Sequence, residues 1–424
     1  MQVINQRGQW EEAKGTRGAL DVHLDDNTQL DSFGRLRTSH TTILMDAQHH
    51  YGSMSHLFQP ILSSGGTITD VPTRAALSLD VTNVAGSSAI SRSKRMYYVS
   101  GQSHHIIMTG AFLNTPTGIK KRIGYYDNDD GFFFQNLSGV ISLGFKSGAS
   151  GSVVETNISR DLWNVDKLDG TGASGINLDV APFSWNNALI FGFDMQWLGA
   201  GRVRFYVSVN GLAIIVHEEN HSGMYPAVYI QTGSLPCTYE IENISSTVAS
   251  SMEQICATVT TEGSTPSGIA KKSISNDILG ITCPGTAYTP VLSIRPSTLF
   301  NGRVNKSTAV LLGVELMVTG VNPAHYHILR NATLTGSTWV SLASHESMME
   351  ACTVSTGFTG GIIRDEGYCL GGQGDKSGSI SQTADETFYI QIDPTGIQNS
   401  ITVVARGMGG SAEVFAKLYW KELY

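Results

Sequence analysis

The chain has 424 residues, of which 41% are hydrophobic and 15% are charged, and its net charge is −8. This length exceeds what one hydrophobic core usually serves, so two or three domains are expected. The low charge and the 46 glycines indicate many short strands and tight turns rather than helical bundles. No long basic run is present, which argues against binding to nucleic acid or to an anionic membrane.

Residues 1–40 are a polar arm that ends in the segment Asp31-Ser32-Phe33-Gly34-Arg35-Leu36-Arg37-Thr38-Ser39. The arm carries few large apolar side chains, so we expect it to be held by a neighbouring chain rather than to fold alone. Phe33-Gly34 predicts a bend, followed by an extended stretch in which two arginines point the same way. Their acidic partner is Asp31, Asp46 or a carboxylate of another chain, unless the segment is only a solvated strand start. The candidate anchoring residues are Asp31, Phe33, Gly34, Arg35, Leu36 and Arg37.

Residues 41–250 have the pattern of an antiparallel β-sandwich. Residues 75–81 alternate apolar and polar side chains, as a half-buried strand does. Arg122–Tyr126 and Phe132–Phe134 predict a hairpin with a short acidic turn. Asn210-Gly211 supplies the two positive φ angles of a type I′ turn, which predicts a second hairpin.

Residues 251–275 are rich in small polar residues and are the expected linker or junction, although a strand such as Glu253–Thr260 could belong to the first domain. Residues 276–424 are again β-rich and predict a second, smaller sandwich. No helical periodicity stands out. The expected fold is therefore all-β: an extended N-terminal arm followed by two antiparallel β-sandwich domains of the jelly-roll or lectin-like kind.

Two motifs contain residue types that bind metal ions, but neither has the complete spacing of a known metal site. The run Asp127–Gly131 has its glycine at position five rather than six of an EF-hand loop, so a solvated turn is favoured over a looser calcium site. His325 and His327 share a strand face, but a third ligand at fixed spacing is missing. We therefore expect no metal and no cofactor.

Carboxylates and tryptophans suggest two further activities. A glycan depolymerase needs two carboxyl groups facing each other across a cleft. The carboxylates available for such a pair are Asp127, Asp129, Asp166, Asp169, Glu218 and Glu219. A carbohydrate-binding protein would expose aromatic rings, and the candidates for glycan contact are Trp163, Trp185 and Trp197. For these tryptophans the favoured alternative is packing at the ends of the sandwich. No nucleophile, phosphate or dinucleotide motif is present, so we expect no enzyme.

The cysteines and the first residues bear on where the protein is made. Cys237, Cys256, Cys283, Cys352 and Cys369 form neither a C-x-x-C pair nor a zinc pattern. We expect mostly buried, reduced thiols in a protein made in a reducing cytoplasm, with a disulfide in a mature particle as the alternative. The first residues lack the apolar core of a secretory signal, and no apolar run approaches the roughly 20 residues of a membrane span.

The segment Asp31–Ser39 resembles the D-x-F-G-R-L-R-[VT]-S signature of a family of virion structural proteins from tailed bacteriophages. Further segments in the same order are similar to that family as far as about residue 245, and the C-terminal domain is similar more loosely, at residues 329–333. These further segments are Gly65-Gly66-Thr67, Tyr98 with Gly101-Gln102-Ser103, Arg122–Tyr125 with Gly131–Phe134, Trp163–Gly170 and Trp197–Arg204.

The resemblance implies a non-enzymatic virion protein, and it carries no catalytic residue to this chain. We expect a tail-associated baseplate, collar or fibre protein, anchored to other virion proteins through its arm. A head decoration or head-fibre protein and a host-adhesion protein that binds a surface glycan are the alternatives. Self-association is expected, with a trimer as the working hypothesis.

Overall fold

The computed structural model describes residues 2–4, 10–12, 15–16, 19–20, 41–263, 271–276, 278–343, 346–371, 378–383 and 389–423. The predicted anchoring residues, Asp31 to Arg37, lie outside the described residues, so the bend and the paired arginines stay predictions. Four short strands in the arm form two hairpins. They are β1 (Gln2–Ile4) with β2 (Trp10–Glu12), and β3 (Gly15–Thr16) with β4 (Ala19–Leu20).

Fifteen strands between residues 41 and 262 build the first sandwich. They are β5 (Thr41–Gln48), β6 (Phe58–Ser63), β7 (Thr67–Val71), β8 (Ala76–Val81), β9 (Ser88–Arg95), β10 (His104–Ala111), β11 (Ile119–Tyr126), β12 (Gly131–Leu137), β13 (Val140–Ser147), β14 (Val154–Ser159), β15 (Ala188–Met195), β16 (Val203–Val209), β17 (Leu212–Glu219), β18 (Pro236–Asn243) and β19 (Ser250–Glu262). Short 3-10 turns lie at His49–Tyr51, Pro72–Arg74 and Arg160–Leu162. One sheet has the order β17-β16-β15-β10-β19-β8-β7, with β5 also on β19, and the other has the order β14-β13-β12-β11-β18-β9-β6.

Sixteen strands lie in the described parts of residues 272–423. They are β20 (Lys272–Ser275), β21 (Ile281–Cys283), β22 (Thr289–Pro296), β23 (Leu299–Phe300), β24 (Arg303–Val304), β25 (Thr308–Thr319), β26 (Ala324–Arg330), β27 (Thr333–Thr335), β28 (Val340–Ser341), β29 (Met349–Cys352), β30 (Gly357–Thr359), β31 (Ile362–Cys369), β32 (Gly378–Thr383), β33 (Tyr389–Ile390), β34 (Ile401–Gly407) and β35 (Ala412–Leu423). Twelve of these strands form the two sheets of the second sandwich, and β23 with β24 and β27 with β30 form two small separate sheets. One main sheet runs β20-β35-β25-β32, with β21 on β35 and β33 on β25, and the other runs β28-β29-β22-β34-β26-β31. Every pairing in both sandwiches is antiparallel, which confirms the all-β, two-sandwich fold.

Both predicted hairpins are present. In β11–β12, Ile123 faces Phe134 and Tyr125 faces Phe132 across the pair. In β16–β17, Asn210 and Gly211 have φ angles of 52° and 79°, as a type I′ turn requires. Local turn chemistry was therefore a sufficient guide to these elements.

The predicted junction at residues 251–275 begins too early. β19 continues to Glu262 inside the first sandwich and pairs with β8, β10 and β5. Its many small polar residues suit a half-buried strand whose hydroxyls bond to neighbouring backbone, as Thr258 Oγ1 does to the Met45 carbonyl at 2.9 Å. Composition alone cannot distinguish such a strand from a linker.

An aromatic cluster joins the two sheets of the first sandwich. Phe132 and Phe134 on β12 lie 5.3 and 5.5 Å from the ring of Phe193 on β15, measured between centroids. Phe205 on β16 lies within 6 Å of both β12 rings. All four side chains are fully buried, and tilted ring contacts of this kind add to the free energy gained from burial.

A substitution at Gly192 tests how closely the first sandwich is packed. A Cβ atom there would lie 1.8 Å from the ring of Tyr206, its cross-strand partner. We expect Gly192→Ala to lower the free energy of unfolding by roughly 1–3 kcal/mol, because the ring must move out of a packed position. The measurement is the urea midpoint. The control is Gly357→Ala, where no heavy atom lies within 4 Å of the added carbon; equal midpoints for the two variants would contradict the prediction.

Candidate functional site

The acidic turn between β11 and β12 lies in a pocket between the two sandwiches, which corrects the prediction of a solvated turn. Asp127 and Asp130 are 2% and 0% exposed. Asp127 Oδ1 accepts the backbone N–H groups of Asp129 and Asp130, each at 2.7 Å. Asp130 Oδ1 accepts N–H groups from two other loops of the first sandwich, those of Gly148 and Gln231. The turn is therefore an organising point of the fold.

One lysine of the second sandwich contacts all three carboxylates of this turn. Lys306 Nζ lies 3.0 Å from Asp127 Oδ2, 2.9 Å from Asp129 Oδ2 and 3.4 Å from Asp130 Oδ2. Arg95 on β9 adds a contact of 2.6 Å to Asp127 Oδ2. We call these five residues the interdomain clasp.

The charges of the clasp shift the pKa values of its members. Burial by itself would raise the pKa of Asp127, but the charges of Arg95 and Lys306 outweigh burial and hold it well below its usual range. Burial would lower the pKa of Lys306, and the charge of Asp127 more than compensates, so that pKa is raised. Both shifts favour the charged pair.

The other carboxylates considered for a glycosidase are engaged in local structure. Asp166 is buried and accepts two backbone N–H groups of its own loop. Asp169 accepts the hydroxyl and the N–H of a nearby threonine. Glu218 pairs with Arg202 at 3.1 Å, and Glu219 lies 3.2 Å from the adjacent His217.

The three tryptophans do not form an exposed platform. Trp163 and Trp185 are 3% and 6% exposed, and their rings meet edge to face at 6.1 Å. Trp197 is partly buried and its indole N–H donates to the Ile230 carbonyl at 3.1 Å. Packing inside the sandwich, the favoured alternative, is what the structure contains, because large apolar rings gain more from burial than from exposure.

A histidine cluster on the second sandwich has the third ligand that the sequence pattern lacked. His325 and His327 lie on one face of β26, and the register of β31 places Glu366 opposite His327. The ligand atoms of these three residues lie within 4.8 Å of one another. Spacing along the chain could not reveal this, because Glu366 comes from a different strand.

The histidine cluster is a hydrogen-bonded group in the structure. The Tyr288 hydroxyl lies 2.6 Å from His325 Nδ1 and 3.1 Å from His327 Nε2, and the Tyr288 ring stacks on His327. In a tetrahedral zinc site, bonds of about 2.0–2.1 Å put neighbouring ligand atoms roughly 3.4 Å apart. His327 Nε2 already lies 3.1 Å from Glu366 Oε2, so the two histidines and Glu366 offer three donors, one fewer than the four of a structural zinc site.

The environments of the cysteines disfavour reactive thiolates. All five are free, four are buried and Cys256 is partly buried. Burial raises the pKa of the Cys283 thiol to about 12. Since the thiolate is the reactive form, these residues are packing groups.

No protein-family model and no curated protein matches the chain. Among solved structures it is similar to an endo-1,3-β-glucanase from Streptomyces sioyaensis, with 8% identity over 53% of this chain and 97% of that chain and a TM-score of 0.37. A β-glucanase from Bacillus licheniformis has 13% identity over 54% of this chain and 100% of that chain, with a TM-score of 0.32. A protein of unknown function from Shewanella oneidensis has 8% identity over 57% and 94%, with a TM-score of 0.35. Likenesses this distant say nothing about activity.

The described residues contain no helix of the length and apolarity needed to span a bilayer.

Removing the lysine of the clasp should destabilise the protein strongly. Lys306→Met leaves three carboxylates with Arg95 as their remaining cation, and breaking a buried pair costs roughly 3–5 kcal/mol. The measurement is the midpoint of urea unfolding. The control is Lys417→Met, whose pair with Glu315 is exposed and contributes about 0–1 kcal/mol. A Lys306→Met midpoint no lower than the control's would show that the clasp adds no stability.

The clasp should also weaken in acid. The pKa of Asp127 is lower in the folded protein than its value of about 3.9 in an unfolded chain, so its stabilising contribution is complete above about pH 5. This contribution is lost as the pH falls below about 4 toward the folded pKa. We expect the Tm difference between wild type and Asp127→Asn to be constant from pH 5 to 8 and to shrink at pH 3. A difference that is the same at pH 3 and pH 7 would contradict the assignment.

Proposed function

We propose that the protein is a non-enzymatic structural component of a tailed-bacteriophage particle, made in the host cytoplasm and assembled on the tail side as a baseplate, collar or fibre protein. The N-terminal arm with Arg35 and Arg37 attaches it to a neighbouring virion protein. The two sandwiches form the body that projects from the particle or joins subunits.

One observation supports this proposal most. Segments that carry the resemblance to virion proteins are far apart in the chain, yet their side chains pack against one another. Tyr98 meets Trp197 edge to face at 5.8 Å, and Phe134 meets Trp163 at 6.3 Å. Phe134 and Trp163 are buried in the core, and the buried Tyr98 packs on the partly buried Trp197. The segments that carry the resemblance are therefore parts of one packed body, which supports a role that depends on the shape of that body.

The clasp adds a second line of support. Charges that lie between two domains and are largely withdrawn from water hold those domains in one geometry, because any separation exposes unpaired carboxylates. A building block of a particle needs a fixed shape of this kind. Self-association fits the same role, and we retain a trimer as the working hypothesis.

The alternatives rank lower. Host adhesion through a glycan would need exposed aromatic rings, and the three candidate tryptophans are buried or partly buried. A glycan depolymerase would need two carboxylates free to act across a cleft, and the candidate carboxylates hold loops and domains in place. A head decoration or head-fibre protein remains the close competitor, since the same body suits either end of a particle.

Replacing both arginines of the anchoring segment should abolish incorporation into particles. In an Arg35→Ala/Arg37→Ala variant the arm loses the guanidinium groups that would bind a carboxylate of the neighbouring virion protein. The measurement is the amount of the protein in purified particles produced by the variant phage. The control is Arg303→Ala/Lys417→Ala, which removes the same charge from exposed positions of the second sandwich. Undiminished incorporation of the arm variant would refute the anchoring role.

The position in the particle is tested by labelling. An antibody against the second sandwich, detected with gold in electron micrographs, should decorate the tail. Decoration of the head would select the competitor, and a particle without the protein would overturn the virion proposal as a whole.

A further inference from the structure

A cavity of about 300 Å³ lies between the two sandwiches, on the side of β9 where Lys94 points. Its apolar wall includes Leu57 and Met96 from the first sandwich and Ile401 from the second. The rings of Tyr97 and Tyr389, one from each sandwich, lie 6.2 Å apart at its edge. The cavity is thus lined by residues of both domains.

The cationic groups of this cavity outnumber the anionic groups near them. Lys94, Arg330 and Arg364 line it, together with His56, while Asp46 is the acidic residue in its wall. Arg95 also borders the cavity, but its charge is taken by Asp127 in the clasp. Three cations therefore line the cavity with one carboxylate, and Asp393 lies near enough for its charge to act on Lys94 and Arg330.

Lys94 is the least compensated of these groups. The residue is 7% exposed, and within the described parts of the chain its Nζ has neither an acceptor at hydrogen-bond distance nor a carboxylate within 4 Å. Burial, followed by the charges of Arg330 and Arg364, lowers its pKa to about 7. Nε of Arg330 is likewise buried and has no acceptor within the described residues.

Lys121 is a buried lysine whose ammonium group is fully hydrogen-bonded within the chain, and it serves as a comparison for Lys94. Its Nζ donates to three backbone carbonyls, those of Phe112, Asn114 and Ser251, at 2.6 to 2.7 Å. All three N–H bonds of that ammonium group are satisfied by the chain. Lys94 has no such carbonyls, so its N–H bonds remain available to something that enters the cavity.

We propose that this cavity is a binding site for a small organic anion, whose carboxylate or phosphate group is held by Lys94 and Arg330 with Arg364 at the entrance. The body of the ligand lies against the apolar wall. Because Lys94 belongs to the first sandwich and the two arginines to the second, a bound anion also links the domains. The inference concerns residues outside the clasp and the arm, and it does not depend on the role in the particle.

Binding assays on the purified full-length protein test the site. Glucuronate and glucose 6-phosphate are the anionic probes, and glucose is the neutral control. We expect calorimetric binding of at least one anionic probe and none of glucose, with affinity reduced tenfold or more in Lys94→Met and in Arg330→Met. Preference between the two probes distinguishes a carboxylate ligand from a phosphate. No binding of either probe at millimolar concentration, or equal binding by Lys94→Met, would overturn the proposal.

Affinity should fall as the pH rises from 6 to 8.5, approaching tenfold per unit above pH 7, because an anion binds the protonated lysine. The charged or titratable groups that surround Lys94 are Asp46, His56, Arg330, Arg364, Tyr389 and Asp393. Burial and the charges of Lys94, Arg364 and Arg330 also lower the pKa of His56, so loss of its proton weakens anion binding at the lower end of this pH range.

A second measurement needs no ligand. In anion-free buffer, Lys94→Met should raise the Tm by a few degrees, because it removes a buried charge that makes no ion pair or hydrogen bond with the described residues and lies near two other cations. Lys121→Met is the matched comparison and should lower the Tm, since three carbonyls lose their donor. A lower Tm for Lys94→Met would mean that the folded chain itself already satisfies this lysine, and the site would be withdrawn.

Discussion

The acidic turn Asp127–Asp130 is the constraint on which much of this structure depends. It closes the hairpin β11–β12, whose phenylalanines form the centre of the first core. The same turn binds two other loops of that sandwich and receives Lys306 from the second one. Local turn geometry, core packing and domain arrangement thus meet in four consecutive residues.

The protein has few charged residues, and it buries several of them in matched groups. Arg204 pairs with Asp194 inside the first sandwich, and Lys121 is surrounded by carbonyls. Glu422 accepts hydrogen bonds from Ser347, Trp420 and the Met348 backbone in the second. Each group is costly to dismantle once one partner is removed, which favours a single arrangement of strands and domains. The cations around Lys94 differ from these matched groups, because they outnumber the carboxylates near them.

The histidine cluster and the tryptophans show why function is harder to predict than fold. His325 and His327 were recognisable as a same-face pair, but the cross-strand neighbour Glu366 was not, since register between distant strands is set by the folded sheet. For the tryptophans the sequence allowed an exposed surface but favoured packing at the ends of the sandwich, and packing is what the structure contains. Their burial depends on how the loops fold over the ends of the sandwich. The residues next to each tryptophan in the sequence do not specify that arrangement.

The sequence by itself determined the elements: alternation and turn residues such as Asn210-Gly211 specified strands and hairpins, and the low charge with abundant glycine specified an all-β chain. These signals are local, so they survive without knowledge of the fold. Only the tertiary structure decided that β19 belongs to the first sandwich, that Lys306 enters the acidic turn, and that Lys94 faces Arg330 across a cavity. Each of these contacts joins residues far apart in the chain, and the electrostatic environment of a group depends on the three-dimensional distance to its neighbours rather than on their separation in sequence.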